Sequence, residues 1–344
     1  SYCEYDMLQP APGAYEYDPN AMESAAFQVL REAIAGCAAP VRGIGVSSFG
    51  ESIVLLDAHD RVLCNTAMYL DTRGAEDLAI LSDMQDRYAF RAQMGTRPRI
   101  NHTLVKLRVL ARENPEALNR AKKALFIADF ILYRLGGAHC TDYSVAATTG
   151  GMDVRDMCWR GDLWQWAGLD PAVLPRLVAP GTCVGTLCAD AAQKLGTKPG
   201  AKLVIGGLDH IPSSLGCGVT RKGQMMNAIG TVDCACLITD TIDPHRYDGD
   251  FLFLPYYTPG AYGGLIANMA GGVLLKWFRE HFGRAEKERW KRDGLDFYAE
   301  YEKQMAKEPT DLIVLPRFAG YSPRMCDRAG ILNLTLSTTN EQIY

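Results

Sequence analysis

Apolar residues recur at helical spacing between about Asn20 and Ala35, at Ala25, Ala26, Val29, Leu30 and Ile34. They predict an amphipathic helix entered through Asp18-Pro19. Pro10-Ala11-Pro12-Gly13 reads as a turn, and no strand is expected before the helix. Val41 to Ser48 is an apolar run ending in small polar residues, the pattern of a buried strand whose end opens onto a site. Phe49-Gly50-Glu51 makes a polar corner. Ser52 to Asp57 predicts a second strand, Ala58-His59-Asp60 a tight turn, and Arg61 to Tyr69 a third strand completing a β-meander. Residues 75–136 predict mainly helix, closing with an apolar helix from Phe126 to Leu135 that Gly136-Gly137 stops. Asp142 is placed to cap a helix or turn at Thr141–Ser144, and Trp159, Trp164 and Trp166 are expected to anchor a helical subdomain.

The sharpest local pattern is Lys202-Leu-Val-Ile-Gly-Gly-Leu-Asp209, an apolar strand closing on two glycines and an acid, then a helix from His210 to Leu215. Glycines at the carboxyl end of a strand let a ligand approach the backbone, and the crevice there is the usual binding locus of α/β sheets. A domain boundary is expected after Gly218, giving domains 1–218 and 219–344. Beyond it, Gln224–Ile229 and Val232–Ile238 predict strands around Gly230-Thr231. Leu265–Asn268 predicts a strand that meets Gly271-Gly272 and a helix from Val273 to Phe282. Strands are expected at Leu312–Leu315 and Ile331–Leu336, and Thr338 with Glu341 has capping-box spacing for a final helix. The mixture places the chain in the α/β class.

Length and charge narrow the function classes. The 344 residues suit roughly two domains. Thirty-six basic against forty acidic residues leave a net charge of −4, too balanced for a dedicated nucleic-acid or anionic-membrane surface. No run approaches the ~20 apolar residues of a membrane span. Ser1 to Asp6 is neither basic nor apolar, so no signal peptide is read there. The eleven cysteines are scattered without a CxxC pair, which predicts reduced, mostly buried thiols in a cytoplasmic protein. The six histidines lie far apart without metal-ligand spacing, and Arg284–Arg292 mixes charges like an exposed helix.

Taken in order, these segments resemble the FGGY carbohydrate kinases of the ribonuclease-H-like, actin-like ATPase superfamily. Pro10–Gly13 with Glu16–Pro19 is similar to the family's loop before its first long helix. Ile44–Asp57 resembles its isoleucine-glycine strand and hairpin, and Tyr69-Leu-Asp71-Thr-Arg73 its W-x-D-x-R segment with Tyr for Trp. Thr141-Asp-Tyr-Ser144 matches its T-D-Y-S element, and Gly206-Gly-Leu-Asp209 resembles the segment carrying its catalytic aspartate. Gly230-Thr231, Gly271-Gly272 with Lys276, and Gly320–Gly330 are similar to its nucleotide-side hairpin, helix start and C-terminal signature. Lys106 is present without the family's following Trp. The family's N-terminal D-x-G-T phosphate loop and C-terminal adenine-binding segment have no counterpart, so both domains are expected to be incomplete.

The chemistry follows in two layers. As residues, Asp209 suits either a general base at a strand-to-helix corner or a plain helix cap. Glu51 suits a hydrogen-bond acceptor for vicinal hydroxyls or a solvated acid, and Tyr69 a stacking platform or core. Asp71 and Arg73 suit an ion pair shaping a wall or direct ligands, and His210 a substrate contact or a packed helix start. Backbone amides at Gly230-Thr231 and at the Gly271-Gly272 helix start suit phosphate, with Lys276 lining the nucleotide side or simply solvated. The resemblance assigns Asp209 as catalytic base. It implies Mg²⁺- and ATP-dependent phosphorylation of a sugar or polyol, two domains closing around a cleft, and a homodimer as one option. No nucleic-acid or membrane partner is expected. A non-catalytic actin-like or sugar-sensing protein, or an inactive fragment of a kinase, is the competing reading.

Overall fold

A computed structural model describes residues 1–84, 89–230, 233–243, 251–268, 270–305, 307–315, 318 and 329–344. Thr231 and the signature segment 320–327 lie outside the described residues. The chain divides into two compact units, one of Ser1–Met225 with Cys236–Leu265 and one of Met226–Ala235 with Ile266–Tyr344.

In the larger unit, strand Gly43–Ser48 runs parallel to Lys202–Leu208, with Ile44 beside Leu203 and Val46 beside Ile205. Cys183–Thr186 adds an antiparallel third strand. Helix Ile127–Arg134 packs on both parallel strands and buries every residue from Ile127 to Leu132. Six consecutive buried residues cover the whole circumference of a helix, so its first turns lie inside the core with Asp129 buried among them. Val54, Leu125, Phe130, Leu203 and Ile205 share its core, each contributing about 1.5–3 kcal/mol of burial free energy. Helix Pro19–Ala35 starts where Asp18 accepts the Asn20 amide at 2.9 Å and packs against helix Ala189–Leu195. Trp164 is fully buried, donates its indole N–H to the Gly151 carbonyl at 2.9 Å and meets Trp159 edge-on at 5.2 Å. Arg108 lies over Trp166.

Several elements depart from the sequence reading. A short strand, Glu16–Tyr17, does precede the first long helix, and it pairs with Thr66–Ala67. The third meander strand is reduced to that pair and a single bridge from Val62 to Leu56. The true partner of Ile53–Leu56 is Lys123–Phe126, which apolar content alone had merged into the following helix. The last strand covers only Gly330–Leu332, antiparallel to Ile313–Leu315. The final capping box is Thr339 with Gln342, one residue later than the spacing suggested. The Thr338 hydroxyl is already committed to the Thr335 amide at 2.9 Å.

The ten described cysteines are free thiols, but only Cys140, Cys234 and Cys236 are buried, which corrects the mostly buried expectation. Cys183 sits on the outer strand of its sheet and Cys37 just past a helix end, where neighbours cover one side only. The smaller unit has its own core, where Phe278, Trp290, Phe297 and Tyr301 join three consecutive helices. Phe278 meets Tyr301 edge-on at 5.1 Å, the geometry favoured by ring quadrupoles.

Candidate active site

The glycine strand does not end smoothly. Its register against Gly43–Ser48 slips between Ile205 and Gly207, and Gly207 takes φ 92°. A Cβ at Gly207 would fall 2.8 Å from Ser144 Oγ and 3.2 Å from Asp142 Oδ1. Ser144 Oγ accepts the Leu208 amide at 2.9 Å and donates to Asp142. Asp142, fully buried, also accepts the Ser144 amide at 2.7 Å and so caps the short helix Tyr143–Ala147. The Asp209 amide donates to the Ser48 carbonyl at 3.0 Å. The Tyr257 hydroxyl donates to the Gly206 carbonyl at 2.6 Å. Three hydrogen bonds on neighbouring peptides thus fix the corner that carries Asp209.

The Asp209 carboxylate is half-exposed and used on one side only. Its Oδ1 accepts the His210 amide at 2.8 Å and lies 2.7 Å from His210 Nδ1. Its Oδ2 has no hydrogen-bond partner among the described residues. As a cap it is unorthodox, because its backbone is already helical (φ −46°, ψ −39°) and it takes only the amide of the next residue. An ordinary N-cap is extended and serves the second or third amide of the helix.

Glu51 stands close by, on a left-handed backbone with φ 64°. Its amide donates to Thr148 Oγ1 at 3.0 Å, its carbonyl accepts from Thr103 Oγ1 at 2.8 Å, and its Oε1 accepts from Asn101 Nδ2 at 3.3 Å. Gly50 has no alternative here, since a Cβ would strike the Thr148 hydroxyl. Burial pushes the Glu51 carboxyl up to about 7 against the pull of Lys106 and Arg99, with Asp209 adding to the rise and His210 opposing it. Folded Glu51 therefore holds a proton that the unfolded chain releases near 4.5. Its contribution to stability is complete below that value and is lost as pH rises through about 7. Glu51→Gln should gain on the wild type by about 2–3 kcal/mol between pH 4.5 and pH 8, read from urea denaturation at both ends.

Tyr69 meets Phe49 edge-on at 5.8 Å, and its hydroxyl is raised by burial, by Tyr17, and then by Asp209 and Glu51. Glu51, Tyr69, Asp209 and His210 are thus brought together. Asp71 and Arg73 lie at the edge of this group, bound to each other at 2.6 Å. Arg73 also holds Glu16 and Glu113, each at 2.7 Å, and Asp71 accepts the Tyr15 amide at 3.1 Å. That knot ties the first short strand to helix Thr103–Glu113.

Asn101, Thr103 and Thr148 were not singled out in the sequence. They reach Glu51 from 50, 52 and 97 positions away, and nothing local announces them. In the smaller unit, Gly230 and Gly272 do touch. The Gly272 amide donates to the Gly230 carbonyl at 2.6 Å, and a Cβ on Gly272 would fall 2.7 Å from that oxygen. Gly271 precedes this contact. Gly272 opens helix Val273–His281, on which Lys276 is exposed.

The sequence pattern described as "FGGY family of carbohydrate kinases, N-terminal domain" matches residues 1–216. The chain belongs to the FGGY family. Among curated relatives it is 29% identical over 308 residues to the autoinducer-2 kinase of Klebsiella pneumoniae subsp. pneumoniae, covering 87% of this chain and 57% of that protein. It is 28% identical over 256 residues to the gluconokinase of Bacillus licheniformis, covering 74% of this chain and 49% of that protein. The chain therefore spans about half to three fifths of the length of these FGGY relatives. The solved xylulose kinase from Rhodospirillum rubrum superposes with a TM-score of 0.85 at 24% identity, over 98% of this chain and 68% of that one. The fold is the ribonuclease-H-like, actin-like α/β architecture of the FGGY kinases.

Proposed function

We propose that the protein phosphorylates a hydroxyl of a sugar or polyol, with ATP as donor and Asp209 as general base. One observation carries this reading. Asp209 presents a half-exposed carboxylate at the end of a glycine strand, with Oδ1 tied to His210 and Oδ2 free to accept a proton. A sugar hydroxyl is a poor nucleophile until its proton has an acceptor, and a carboxylate in reach supplies one. His210 orients the carboxylate. Glu51 accepts hydrogen bonds from neighbouring hydroxyls, and Tyr69 offers a ring face to the sugar's apolar side. Asp71 and Arg73 form the wall behind them.

ATP supplies the phosphoryl group when bound. In the smaller unit, Gly230 with Thr231, and Gly271 with Gly272, are the residues proposed to hold its phosphates. The reading is supported by the helix start that Gly272 opens, while the Gly272 amide itself is taken by the Gly230 carbonyl, so the amides that follow it in helix Val273–His281 are the ones left for phosphate. Lys276 is proposed to lie along the nucleotide. Magnesium is expected with the nucleotide. Such an ion is held chiefly by the substrate phosphates and water. No helix among the described residues is long and apolar enough to cross a membrane.

A coupled assay of ADP release against D-gluconate, D-xylulose, glycerol and other sugars tests the proposal. Release above the sugar-free background with at least one compound is expected. Sugar binding without ADP release would favour the sugar-sensing reading instead.

A further inference from the structure

Lys106 carries a charge that no group in the described fold neutralises by contact. It lies on helix Thr103–Glu113, in a first turn buried all round with Thr103, Leu104, Val105 and Leu107, and is only 6% exposed. Its Nζ has no hydrogen-bond partner among the described residues. A lysine is almost never fully buried unless it is paired, and buried polar groups left unpaired call for an explanation. Two carboxyls act on it through space, Glu51 and Asp71. Asp71 is already spent on Arg73 and the Tyr15 amide. Glu51 accepts from Asn101, whose own Oδ1 is likewise buried without a partner. An ammonium donor and an amide acceptor are therefore held around the Glu51 carboxyl with hydrogen-bonding capacity unused. Burial lowers Lys106 to about 8 while Glu51 and Asp71 oppose the fall, so it remains charged at neutral pH.

We propose that Lys106 is a substrate-binding residue, donating to one oxygen of the sugar while Glu51 accepts from a neighbouring hydroxyl. This rests on the sugar-kinase reading and gives a role to a lysine that the family resemblance includes without assigning it one. The structural alternative is that Lys106 is a counter-ion needed for folding. The two differ in sign. A buried charge without a contact partner costs stability, so an apolar replacement of similar length should strengthen the fold if the charge is kept for a ligand.

Calorimetric titration of the wild type with D-gluconate, D-xylulose and glycerol, without nucleotide, comes first. Lys106→Met should then bind the tightest of these at least about tenfold more weakly, the loss expected for one charge-assisted hydrogen bond. It should melt no lower than the wild type. Lys106→Gln, which keeps a neutral donor, should fall between them in affinity. Unchanged affinity in Lys106→Met overturns the proposal. So does lost affinity accompanied by a lower melting temperature in both variants, which would mark Lys106 as structural. If the wild type binds none of the three, the titration moves to whichever sugar of the wider panel releases ADP; if none binds and none releases ADP, it is the sugar-kinase reading that fails, and the proposal falls with it.

Discussion

Asp209→Asn is expected to keep the sugar's dissociation constant within about threefold and to lose about 10²- to 10⁴-fold in turnover, the range a positioned general base contributes. Asparagine preserves the shape of the side chain. Its amide oxygen can still accept from the His210 amide, as Oδ1 does at 2.8 Å. It cannot take up a proton. The competing role is equally definite. Asparagine caps helices about as well as aspartate, so a residue that only capped helix His210–Gly216 would leave both stability and turnover unchanged. Steady-state kinetics beside a calorimetric sugar titration separates the two, and near-normal turnover removes Asp209 from the chemistry. A second consequence follows at Glu51, whose proton affinity the Asp209 charge helps to raise. The variant should titrate Glu51 at lower pH.

What could be read in the sequence was whatever one segment fixes by itself. Lys202–Leu208 shows as a strand because its apolar run ends in two glycines, and helix Pro19–Ala35 because its cap and its spacing agree. Asp209 and Glu51 show because each is an acid at the end of such a strand. Pairing between distant segments left no local mark. Ile53–Leu56 finds Lys123–Phe126 across some seventy positions, and nothing in either stretch names the other. The same holds for Ser144, whose hydroxyl reaches the Leu208 amide from 64 positions away. Lys106 was the intermediate case. A lysine among Leu104, Val105 and Leu107 interrupts an otherwise apolar turn of its helix. That break is visible in the sequence, but the missing partner behind it is a three-dimensional fact.

Gly207→Ala should cost about 2–4 kcal/mol of stability, combining a left-handed backbone with an overpacked site. Gly207 sits at φ 92°, and its new methyl would fall 2.8 Å from Ser144 Oγ. That oxygen has little room to retreat. It is fully buried, bound to Asp142, and accepts the Leu208 amide at 2.9 Å. Moving it breaks the bond that holds the peptide beside Asp209, so turnover should fall with stability. Gly216→Ala is the control, because nothing lies within 4 Å of a Cβ there. In that helix the change should be neutral or gain about 0.5–1 kcal/mol. The decisive measurement is a double-mutant cycle with Ser144→Ala, read by urea denaturation. Ser144→Ala alone leaves the Leu208 amide without its acceptor and costs about 1–3 kcal/mol. In the Gly207→Ala background the hydroxyl is the clashing group, so its removal should cost less, and the two penalties should sum to more than the double variant shows. Simple additivity would mean that Ser144 does not press on Gly207 and does not set the direction in which Asp209 leaves the strand.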